Sequence, residues 1–301
     1  MIKSVLQLGS LSLLLAVFSN PASAAHSHNN LCNFMPKNSM NIPVGANFAG
    51  GIDETTFNGV MDKVSSVYEP IIKSKGGKLK INRLWTDGTV NASAQRVGKT
   101  YVLNMYGGLA RHSITTADGF ALVVCHELGH HLGGFPQKGL NEGNPVWASN
   151  EGQADYFATM KCFRRVFEKD DNAKIVSTLS IPAVVKTKCS ASFKSQKEID
   201  LCLRESMAGN VLAQLLHSLS TGGSLTRDVP SFSTPDLSEV DETNDAHPAA
   251  QCRLDTYFAG SVCAISHLED FGDSDAVTGA CAEERGDKSA YRPHCWYKPQ
   301  L

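Results

Sequence analysis

The stretch LVVCHELGHHLGG, Leu122 to Gly134, places two histidines four residues apart, with a glutamate directly after the first, inside a run that is otherwise apolar. Thr115, Thr116 and Asp118 supply cap and first-turn residues ahead of it, and Gly133-Gly134 close it before Pro136, so a helix is expected. On a helix, positions i and i+4 lie one turn apart on the same face. The imidazoles of His126 and His130 can then converge on one metal ion at about 2.0 to 2.1 Å. Phe120, Ala121, Val124, Leu128 and Leu132 fall on the opposite face and are expected to pack into the core. Glu127, about 100° round the helix from His126, borders the same site and can reach a water there without being a ligand. It is the candidate general base. His131 points roughly 120° from the ligand direction and reads as structural or solvent-facing.

This is the H-E-x-x-H pattern, whose chemistry is metal-assisted hydrolysis. A catalytic zinc takes three protein ligands and keeps one position open. The third ligand is sought downstream, in NEGQADYFATMKCF, where Glu151 and Asp155 are again i, i+4 on an expected helix that packs Ala154, Phe157 and Met160 inward. Glu151 is the candidate ligand. Asp155 is spaced to accept the other ring N–H of a ligating histidine and so fix its tautomer. The competing reading is a solvated acidic helix face.

With these motifs in place, the chain resembles the gluzincin metallopeptidases, specifically the HtpX and CAAX prenyl protease type. HELGH is followed after twenty residues by EGQAD, VNASAQRVGKTYVLNMYGGL is similar to that family's N-A strand ahead of the zinc helix, and AHPAAQCRL to its H-P-x-x-x-x-R element. The matching motifs run from about Val90 to Leu254. The resemblance implies Zn2+ on His126, His130 and Glu151, with Glu127 as base and Asp155 behind a ligand. It further implies His247 as a transition-state donor and Arg253 as support for the site or substrate. Asn91 and Ala92 would lie on an edge strand that pairs with an extended peptide. The well-known members hold several transmembrane helices around the catalytic domain, whereas this chain carries one expected cleavable signal and a cysteine-rich body. Prenylated substrates inside a membrane are therefore not implied.

That signal is MIKSVLQLGSLSLLLAVFSNPASA: Lys3, a short apolar region from Val5 to Phe18, and the cleavage pattern Ala22-Ser23-Ala24, giving an expected mature start at Ala25. The apolar region is shorter than the roughly 20 residues a membrane span needs. An exported protein, periplasmic or secreted, is expected, with no membrane span in the mature chain. Export suits the nine cysteines, at 32, 125, 162, 189, 202, 252, 263, 281 and 295. Cys125 lies in the apolar run and the other eight in mostly polar surroundings, so four disulfides are expected with Cys125 as a buried free thiol. The formal net charge of −2 and the lack of a basic stripe argue against nucleic acid as a partner.

The expected organisation is a signal peptide over 1–24, an irregular lead-in over 25–50, a catalytic domain over 51–268 and a Cys-containing tail over 269–301 packed on that domain. The lead-in is polar and Asn-rich. After it, Phe57, Val60, Met61, Val64, Val67, Tyr68, Ile71 and Ile72 keep helical spacing, with Asp53 as cap and Pro70 as a kink. KLKINRLW reads as a strand, and VNASAQ and KTYVLNMYG as a hairpin around Arg96-Val97-Gly98. The fold class is α+β: a zincin-like domain with its zinc helix on a small mixed sheet, a mainly helical remainder, and disulfide staples. The expected function is an exported zinc-dependent metalloendopeptidase acting on peptide or protein substrates. A zinc-retaining binding or chaperone-like module is the alternative, and hydrolysis of a non-peptide amide a third reading.

Overall fold

A computed structural model describes residues 31–46, 50–139, 146–222 and 228–300, so the expected signal peptide lies outside the described residues. In chain order the elements are β1 (Cys32–Asn33), α1 (Glu54–Ser74), β2 (Lys78–Leu84), β3 (Ala92–Val97), β4 (Thr100–Tyr106) and α2 (Gly107–Arg111). There follow α3 (Ala117–Leu132), α4 (Glu151–Phe157), a π-helical stretch (Ala158–Phe163), α5 (Arg164–Phe167), α6 (Asn172–Val176), α7 (Ala183–Ser192), α8 (Gln196–Ser220) and α9 (Ala250–Val262). This is an α+β arrangement with one small mixed sheet. Among the described residues, no helix is long and apolar enough to cross a membrane.

The Asp53 side chain accepts the Thr56 N–H at 2.8 Å and starts α1, which runs unbroken through Pro70 and buries Phe57, Met61, Val64, Tyr68 and Ile72. These positions, three or four apart, form the stripe that packs on α3 and β2. In the sheet, the order is β1-β3-β4-β2. β3 and β4 form the expected hairpin, turning at Gly98 in the left-handed region (φ +56°), and β2 joins β4 in parallel.

Thr116 caps α3 by accepting the Gly119 N–H at 3.1 Å. Every residue from Gly119 to His131 is buried, so α3 is not divided into a metal face and a core face as its sequence suggested. It is the central helix, apolar or engaged all round, with α1, β3, β4, α4 and α8 against it. His131 is structural: its ring stacks between Tyr101 (4.7 Å) and Trp147 (4.6 Å) and accepts a hydrogen bond from Arg96 Nε at 3.1 Å.

Four disulfides join Cys125 to Cys162, Cys189 to Cys202, Cys252 to Cys295 and Cys263 to Cys281. The expectation of a free Cys125 is corrected: Cys125 ties α3 to the π-helical stretch, and the buried free thiol is Cys32. Apolar surroundings had marked Cys125 as unpaired, but the partner approaches within the same apolar interior. The tail is held to the body by Cys281 and Cys295, and Trp296 packs face-on against Gly152 of α4, where a side chain would collide with the indole.

The lead-in also departs from expectation. Cys32 and Asn33 pair antiparallel with Ala94 and Ser93, and Asn41 bridges Thr89, so the outer edge of β3 is already covered by the chain's own N-terminal segment. Asn91 and Ala92 are therefore not on an open edge. Asn91 Oδ1 accepts the Met35 N–H at 3.1 Å, its Nδ2 donates to the Met35 carbonyl at 3.2 Å, and the Ala92 carbonyl accepts the Phe34 N–H at 3.0 Å.

Candidate metal centre

α3 and α4 meet at Gly129, where an added Cβ would stand 2.8 Å from Ala154 backbone atoms. Glycine between the two histidines allows this approach, and it brings Glu151, in the first turn of α4, across the axis of α3. Asn150 caps α4 by accepting the Gln153 N–H at 2.9 Å, and Gln153 donates to the Gly133 carbonyl at 2.6 Å and accepts from Arg292 Nε at 2.6 Å. The helix carrying Glu151 is thus fixed both to the end of α3 and to the tail.

His126, His130 and Glu151 come together as a group that could hold a metal ion, their donor atoms all within 4.8 Å of one another. Glu151 Oε2 is 3.3 Å from His126 Nε2 and 3.7 Å from His130 Nε2. Ligands at tetrahedral angles and about 2.0 to 2.1 Å from a zinc ion are separated by about 3.3 Å, so the spacing fits. The tautomers fit as well. His126 Nδ1 lies 2.7 Å from Asp155 Oδ1 and His130 Nδ1 lies 2.8 Å from the Ser149 carbonyl, both acceptors, so each Nδ1 carries the proton and each Nε2 offers a lone pair. His126 Nε2, His130 Nε2 and Glu151 Oε2 are buried with no hydrogen-bond partner. Acceptors facing one another in a dry interior are a costly arrangement that a cation between them would relieve.

The second oxygen of Glu151 is held by Lys138 Nζ at 2.5 Å. Burial alone would favour a neutral Glu151, but His130 and Lys138 keep its carboxyl well below the ordinary range. Burial lowers His130 to about 3, whereas for His126 the Asp155 carboxylate overcomes burial and raises the ring to about 9. Without a metal, a proton on His126 is the substitute bridging cation. Glu127 is fully buried, with both carboxylate oxygens unpartnered, and burial pushes it up to about 8.

Asp155 is gripped from its other side by Arg253, whose Nε and Nη2 each donate at 2.7 Å. Arg253 Nη1 donates to the Phe34 carbonyl at 2.8 Å. His247, half-buried, lies with Nε2 3.4 Å from Glu151 Oε2 and 2.7 Å from the Asn33 carbonyl oxygen. A carbonyl only accepts, so this ring donates through Nε2–H, and burial lowers its pKa, which keeps it neutral. His126, Glu127, His130, Glu151, Asp155, His247 and Arg253 are thus gathered at one centre. Asn91 and Ala92 border it only through the segment that covers them.

Lys138, Phe34 and Gly129 are parts of the centre that the motifs did not single out. Gly129 stands inside HELGH and could have been noticed there. Lys138 and Phe34 carry no local signal. A second cluster, Asp236 with Cys252 and Cys295, offers no metal site because its two sulfurs are joined to each other. No family model matches the chain, and no curated protein or solved structure gives a significant match.

Proposed function

We propose that the protein is a zinc-dependent endopeptidase of the exported kind, with a zincin-like fold similar to that of the gluzincin metallopeptidases. The observation that carries this reading is the unpartnered set of His126 Nε2, His130 Nε2 and Glu151 Oε2, next to an unpartnered Glu127 carboxylate. A catalytic zinc has three protein ligands and an open position, and when bound it acts as a Lewis acid that lowers the pKa of water there toward about 7.

Around it, this chain's residues divide the work. Glu127, with a carboxyl raised into the range where a base is effective, takes a proton from the attacking water and returns it to the leaving amine. His247 Nε2–H donates to the carbonyl oxygen of the bond being broken, where negative charge grows. Asp155 and Arg253 hold His126 in its Nδ1–H form. The experiment is metal analysis of the purified protein, together with cleavage of a peptide library with and without a chelator and with Glu127→Gln. Cleavage that depends on both zinc and Glu127 is expected.

One observation favours a second reading, a zinc-retaining binding module: the ligands and Glu127 are fully buried beneath the N-terminal segment. Stoichiometric zinc with no chelator-sensitive cleavage under any condition would favour it.

A further inference from the structure

The segment Cys32–Met35 lies across the metal centre as an extended peptide would. It pairs antiparallel with β3, through Cys32 with Ala94 and Asn33 with Ser93. Two successive carbonyls, those of Asn33 and Phe34, accept from His247 Nε2 at 2.7 Å and Arg253 Nη1 at 2.8 Å. The Phe34 ring is fully buried, edge-on to His126 with centroids 5.1 Å apart. Thus the group assigned to stabilise developing oxyanion charge already holds a peptide carbonyl, the one between Asn33 and Phe34.

All four disulfides lie between Cys125 and Cys295, and the one cysteine outside that covalent framework is Cys32, on the segment itself. Residues 36 to 41, immediately after the buried part, are exposed. Met35 and Pro36 also line a cavity of about 520 Å³, which His247, Arg253, Leu216, Leu219 and Pro248 border as well.

From this we infer that Cys32–Met35 is an intramolecular occupant of the substrate groove, which keeps the protein latent until the segment is displaced. The inference rests on the metallopeptidase reading and adds its regulation. Main-chain pairing on β3 gives affinity without demanding a particular sequence, so a strand of the same chain competes with any extended substrate. Its tether supplies an effective concentration in the millimolar range, which an ordinary substrate does not reach.

The test inserts a site-specific protease sequence between Lys37 and Asn38 of the full chain carrying Glu127→Gln. The probe is a fluorescein-labelled copy of residues 31–37 with serine in place of the cysteine. Cutting is expected to tighten probe binding by about a hundredfold, because it removes the tether, while one zinc per chain is retained. In the chain with Glu127 intact, the same cut should raise chelator-sensitive peptide hydrolysis at least about tenfold. Equal probe binding before and after cutting, or loss of the native circular dichroism on cutting, would overturn the inference, since the strand would then be a permanent part of the sheet.

Phe34→Ala gives an independent reading without a cut. Faster alkylation of Cys32 accompanied by increased hydrolysis supports latency, and faster alkylation with unchanged hydrolysis refutes it. Failure of the underlying reading is distinguishable: either zinc is absent from cut and uncut protein alike, or zinc is retained and the probe binds more tightly on cutting while chelator-sensitive hydrolysis appears in neither form.

Discussion

Arg253 and Asp155 form a fully buried, two-pronged ion pair, with Nε and Nη2 each 2.7 Å from a carboxylate oxygen, and the same carboxylate accepts from His126 Nδ1. The Asp155 carboxylate is thus shared between the guanidinium of α9 and the ring of His126. Asp155→Asn keeps the shape and removes the charge. It is expected to weaken zinc binding by about 10–100-fold, measured by competition with a chelating dye. Arg253→Met, which leaves the buried Asp155 charge without its guanidinium partner, is expected to destabilise the fold by about 3–5 kcal/mol in urea denaturation. An unchanged zinc affinity in the first variant would separate Asp155 from the metal.

Glu127→Gln preserves size and removes the proposed base. Zinc content should stay at one per chain, and hydrolysis should fall by about 10²–10⁴-fold, the range a positioned general base contributes. A variant that hydrolyses peptides at the parent's rate would take Glu127 out of the chemistry.

Cys125 and Cys162 connect the helix of the two histidines to the π-helical stretch that follows α4, and so brace the two helices that carry the proposed ligands. Replacing both with alanine is expected to cost about 2–5 kcal/mol of stability. Thiol counting on the denatured, unreduced protein should give one reactive group, and peptide mapping should place it at Cys32. A second free thiol, or a label on Cys125, would contradict the pairing.

Lys161 is 3 % exposed, donates to the Ser266 carbonyl at 2.8 Å, and is lowered by burial from 10.5 to about 7. Because the folded pKa is below the unfolded one, the unfolded chain binds the extra proton between these values. Stability contributed by this group is therefore complete above about 10.5 and is lost as pH falls to about 7. The stability-versus-pH slope over that window should be shallower in Lys161→Met than in the parent. Parallel curves would mean that Lys161 is solvated in the folded state.

The parts of the architecture that were readable in the amino-acid order are those governed by local periodicity. The stripe from Phe57 to Ile72, the Thr116 cap, the hairpin at Gly98 and the i, i+4 spacing of His126 and His130 all depend on neighbours within a turn or two. What was not readable depends on long-range company. β1 is two residues long and has no pattern of its own, and it exists because Asn91 and the β3 backbone offer partners to Met35 and Phe34. The pairing of Cys125 follows from the docking of α4 on α3 through Gly129, a fact of packing rather than spacing. Lys138, which holds the outer oxygen of Glu151, lies on a connection whose course local residues do not dictate. Asp171 accepts the Lys174 N–H and starts α6 as a short helix separate from α5.

Whether His126, His130 and Glu151 hold one metal ion together, as proposed, can be read from zinc-edge X-ray absorption on the purified full chain. One zinc per chain is expected, surrounded by nitrogen and oxygen at about 2.0 to 2.2 Å, with the multiple-scattering signature of two imidazoles that falls to that of one, or is lost with the zinc, in His126→Ala. Substoichiometric zinc, or a shell dominated by sulfur at about 2.3 Å, would contradict it.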